Sequence, residues 1–112
     1  MGMDTYVRVY KKNSMDFRSF NTFGEFGSYR NFYGLLKWCR ENTIVDTDDS
    51  FVSCILNKNT TETLITELRE FDLDETDTYD FYLKCSSMVD DLKTALGEID
   101  WETEELRIEF SC

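Results

Sequence analysis

The stretch Glu70–Asp80, EFDLDETDTYD, holds six acids and no base. Carboxylates at that density have three uses: gripping a divalent cation, working as an acid–base pair, or facing the cations of a partner. A calcium loop needs oxygens at its first, third and fifth positions, glycine at the sixth and glutamate at the twelfth. Counting from Asp46, oxygens fall at Asp46, Asp48 and Ser50, but the sixth residue is Phe51 and the twelfth Asn57. Counting from Asp72, the sixth is Asp77 and the twelfth Leu83. Neither stretch meets the two positions that make the loop work, so no metal site is expected.

Acid–base chemistry has equally little support. With 23 acids in 112 residues, carboxylate pairs arise by chance, and a glycosidase needs two in one cleft with separated pKa values. The chain has no histidine to serve as a base or to activate a nucleophile. It has no GxSxG elbow, no phosphate-binding P-loop and no GxGxxG turn. The sequence therefore reads as non-enzymatic and free of cofactors, which leaves binding.

The net charge is −11 and is unevenly spread along the chain. Residues 1–40 carry seven bases against three acids, a net of +4, while residues 41–112 carry five bases against twenty acids, a net of −15. Free nucleic acid and membranes are unsuitable partners, because phosphate binding needs clustered Lys and Arg. A basic protein suits the second segment, and a nuclease groove would be one example. Carboxylates a few ångströms apart can pair with its Lys and Arg or imitate duplex phosphates. The expected partner-binding residues are Asp46, Asp48, Asp49, Asp72, Asp74, Glu75, Asp77, Asp80, Glu102, Glu104 and Glu105. Small acidic inhibitors, such as immunity proteins against nuclease toxins and phage anti-defence proteins, are similar in composition. No motif of either group is present.

A second chemistry lies in residues 20–38, where seven aromatic rings are interspersed with Arg30 and Lys37. Exposed rings can stack on a base while neighbouring cations hold its phosphates. The ligand-binding alternative therefore uses Phe23, Phe26, Tyr29, Arg30, Tyr33 and Lys37. A third reading is a structural or adaptor subunit whose acids serve only solubility.

The elements that must position these residues follow from periodicity. Residues 5–11 alternate and are rich in β-branched and aromatic types, so they read as a strand, and residues 15–20 as its hairpin partner. Ser28 is placed to cap a helix with Phe32, Leu35, Leu36 and Cys39 along one stripe. Residues 46–50 read as a polar loop and 51–56 as a buried strand. Asn59 and Glu62 resemble a capping box ahead of Leu64, Ile65, Leu68 and Phe71. Residues 79–85 alternate like a strand, Ser87 reads as the cap of a third helix ending at Gly97, and residues 105–110 as a last strand. The expectation is one α+β domain over residues 1–112. It is a two-layer sandwich, with a mixed sheet of four to five strands and about three helices on one face.

Cys39, Cys54 and Cys85 fall where apolar residues would fit, so they read as small core residues. No CxxC spacing occurs, and no apolar run is long enough to span a membrane. The start shows neither a secretory nor a myristoylation pattern, and Met1-Gly2 ahead of Met3 reads equally as a cloning remnant or a native start. Reduced thiols and a cytoplasmic location are the expectation.

Overall fold

A computed structural model describes residues 2–21, 29–48, 51–73 and 78–111. The elements run β1 (Asp4–Lys11), β2 (Phe17–Ser19), α1 (Tyr33–Asn42), β3 (Ile44–Asp48), β4 (Phe51–Leu56), α2 (Lys58–Arg69), α3 (Tyr79–Glu98) and β5 (Glu104–Ser111). The α+β class holds: the described residues form three helices and one sheet of five strands, in the order β2-β1-β5-β4-β3. All neighbours are antiparallel, in place of the mixed pairing expected from the sequence. The chain's last strand inserts between its first and fourth.

Alternation along the strands divides the sheet into two faces. Val7, Val9, Val52, Cys54, Leu56, Leu106, Ile108 and Phe110 point to one face and are buried. There they join Phe32, Leu35 and Cys39 at α1, Leu64 and Leu68 of α2, and Phe81, Met88 and Leu92 of α3 in a single core. The helices thus cover one side of the sheet. Among the described residues, no helix or strand covers the other.

Four local expectations need correction. Residues 79–85 are not a strand but the start of α3. Phe81 and Cys85 are four apart, a spacing that serves period 2 and period 3.6 equally. Burial of Met88, Val89 and Leu92 beyond them selects the helix. The cap is Thr78, whose hydroxyl accepts the Phe81 N–H at 3.1 Å, so Ser87 lies inside the helix rather than at its start, while the helix ends at Glu98, one residue beyond Gly97. Residues 46–48 are not loop but the second half of β3, paired with β4 from Ile44↔Ile55 to Asp48↔Phe51. For α2 the cap is Asn57, not Asn59; its side chain accepts the Thr60 N–H at 2.8 Å.

The cap expected at Ser28 lies outside the described residues. Helix α1 begins after Phe32, which contributes no side-chain cap. At its other end Asn42 Nδ2 donates to the Trp38 carbonyl at 2.8 Å, closing the last turn as its side chain can.

Candidate functional site

The helix-free face of the sheet is built by alternate residues of every strand. Register places Tyr6 opposite Glu109, Arg8 opposite Arg107 and Tyr10 opposite Glu105 across β1 and β5. On the β4 side, Ser53 is opposite Glu109 and Ile55 opposite Arg107. Glu109 is the hub. One of its oxygens accepts Arg8 Nη1 at 3.0 Å and the Tyr10 hydroxyl at 2.6 Å; the other accepts the Ser53 hydroxyl at 3.0 Å. The Arg8 guanidinium lies 4.4 Å from the Tyr6 ring centre and 4.5 Å from that of Phe17, and Arg107 lies 4.8 Å from Tyr10. Rings and guanidinium planes thus roof the carboxylate. Burial, reinforced by the Glu109 carboxylate, pushes the Tyr10 hydroxyl above its ordinary pKa and keeps it a donor.

This network was missed at the sequence level. Its signal was present, since Tyr6-Arg8-Tyr10 and Arg107-Glu109 are the polar halves of two alternating strands. Which charges meet depends on the antiparallel register.

The same register folds the basic N-terminal segment against acids of the C-terminal one. Arg8 neutralises Glu109, and Arg18 of β2 pairs with Glu104. Arg107 Nε sits 2.7 Å from Glu105. Glu104 also accepts the Asp100 N–H at 2.9 Å, and its carboxyl is held below its usual range by Arg18 and that backbone donor. Of the expected partner-binding acids, Glu104 and Glu105 are therefore occupied inside the fold, and Asp80 pairs with Lys84 at 2.9 Å. Asp46, Asp48, Asp72 and Glu102 are exposed. Asp49, Asp74, Glu75 and Asp77 lie outside the described residues.

The described members of this set stand on different elements. Asp46 and Asp48 lie on edge strand β3, Asp72 follows α2, and Glu102 sits in the turn before β5. Glu67, Glu70 and Asp72 bring their carboxylates within 4.8 Å of one another at the end of α2, close enough to share a cation. They are surface groups at the negative end of a helix dipole. Burial and the neighbouring Asp72 push the Glu67 carboxyl up.

The aromatic alternative loses Tyr29. Tyr29, expected to stack on a ligand, is fully buried with its hydroxyl on Asp91 and its ring stacked 6.1 Å from Phe32. Arg30 and Tyr33 are exposed, and Lys37 borders a shallow groove with Trp38 and Asp72. Phe23 and Phe26 lie outside the described residues. A larger cleft of about 940 Å³ opens elsewhere, at the end of the sheet where β1 and β4 finish and β3 and β5 begin. Its walls include Lys12, Ile44, Ile55, Lys58 and Trp101.

No helix is long and apolar enough to cross a membrane among the described residues. Compared with known proteins, the chain matches no family model, no curated protein and no solved structure.

Proposed function

We propose that this chain is a non-enzymatic, cytoplasmic binding protein that acts as a stoichiometric inhibitor of a basic or nucleic-acid-processing protein. It would then be an immunity or anti-defence factor by role. One observation carries the reading. The arginines of the sheet are neutralised by Glu104, Glu105 and Glu109, whereas Asp46 and Asp48 project from an edge strand with no cation partner among the described residues. Surplus charge offered outward is therefore anionic, in keeping with the net of −11.

Such a surface works by occupancy. Its field draws in a cationic groove, and carboxylates displace the phosphates that the groove would otherwise hold. The test is a titration of the purified protein into a panel of nucleases and nucleic-acid-binding proteins with basic grooves, at low and high ionic strength. Saturable one-to-one inhibition that weakens with salt is expected. Activity untouched across the panel, or inhibition indifferent to salt, overturns the reading.

A further inference from the structure

Among the described residues, strand β3 is an open edge of the sheet, bonded to β4 on one side only, and all five of its residues are exposed. Its register decides which backbone groups are free. Asp48 pairs with Phe51, three positions further along the chain, and a pair so close is joined only by mutual N–H···O=C bonds. Asp46 and Ile44 follow in the same phase. The N–H and C=O groups of Val45 and Thr47 therefore point away from β4, and among the described residues no hydrogen bond reaches them. The opposite edge, β2, has only three residues and its Arg18 is already engaged.

Side chains then select the occupant. Asp46 and Asp48 lie opposite Ser53 and Phe51, on the helix-free face. A second copy of this chain adding here would bring the same aspartates against each other, and like charges across adjacent strands repel. A strand with Lys or Arg at alternate positions places cations there instead. At the start of β3, Ile44 is 71% exposed and borders the 940 Å³ cleft walled also by Ile55 and Trp101. A chain continuing past Ile44 finds a recess where these apolar side chains stand beside acids such as Glu41 and Glu105 and the lysines Lys12 and Lys58.

We infer that β3 is the docking edge for an extended basic segment of the partner protein, which adds to the sheet as a sixth strand. This rests on the acidic-binding function proposed above and names the way in which it is exercised.

The probe is a short synthetic peptide of alternating Lys and Val, compared with the same peptide N-methylated on alternate backbone amides. Methylation removes edge pairing but keeps charge and side chains, and leaves the protein untouched. The plain peptide is expected to bind saturably and slow hydrogen exchange at the Val45 and Thr47 amides. Methylation, and separately the Asp46→Lys/Asp48→Lys variant, are each expected to weaken binding about tenfold or more. If charge reversal weakens binding and methylation does not, strand addition is overturned and the acidic-surface reading survives. If the plain peptide fails to bind, or neither change matters, the docking edge is overturned.

Discussion

Arg8 and Glu109 form a 3.0 Å ion pair between β1 and β5 on the face of the sheet that no described helix covers, yet Glu109 is only 2% exposed. A carboxylate is hidden on the open side because the side chains around it, not another layer, exclude water. Hydrogen bonds from Arg8, Tyr10 and Ser53 offset its desolvation.

Removing the hub should therefore cost more than removing one spoke. Glu109→Ala strands a partly covered guanidinium and two hydroxyls, and should destabilise by about 2 kcal/mol, below the full buried-pair penalty because Arg8 is partly exposed. Tyr10→Phe deletes a single donor and should cost about 1 kcal/mol. Denaturant midpoints at constant slope measure both. Equal, small effects would show that the network does not stabilise the fold.

The Arg18–Glu104 pair predicts an acid-side dependence. Arg18 and the Asp100 N–H depress the Glu104 carboxyl in the folded chain. Its stabilisation is then present above the ordinary carboxylate pKa of about 4.3 and is lost as pH falls through the lower folded value. Melting temperature followed from neutral to acidic pH should fall less steeply in Glu104→Gln than in the parent. Parallel curves would contradict the linkage.

Glu67 predicts the opposite sign. Burial and Asp72 raise its carboxyl, so its favourable contribution exists at low pH and disappears as pH rises through the folded value. At neutral pH the ionised group stands against Glu70 and the helix dipole. Glu67→Gln should raise stability there by roughly 0.3 kcal/mol. A variant less stable than the parent would mean that the carboxylate has a favourable partner.

Cys39 and Cys54 meet in the core, between α1 and β4. Both are fully buried, and burial pushes the Cys39 thiol up. With Cys112 changed to Ser, alkylation of the native protein should proceed only as fast as the chain opens, and denaturant should accelerate it steeply. Rapid labelling of the folded form would place a thiolate at the surface.

Composition and periodicity were enough for the class and for most of the core. Val7, Val9, Ile108 and Phe110 alternate with polar residues, and Leu64, Ile65 and Leu68 recur at helical spacing; each pattern has one solution. Phe81 and Cys85 have two, and only the packing of α3 chose between them. Ile44 and Val45 carried a strand signal, but the aspartates of β3 hid it. That strand exists because β4, the next strand along the chain, supplies its hydrogen bonds and outweighs the low strand preference of its aspartates.

The sequence by itself determined how much charge there is, its sign along the chain and which residues must leave water. Those follow from side-chain chemistry and from periods of two and 3.6. Tertiary structure alone decided that Glu104 and Glu109 meet Arg18 and Arg8, because β5 lies between β1 and β4 and brings its acids beside bases far away in the chain. Arg8 and Glu109 are 101 residues apart, and no spacing rule reaches that far.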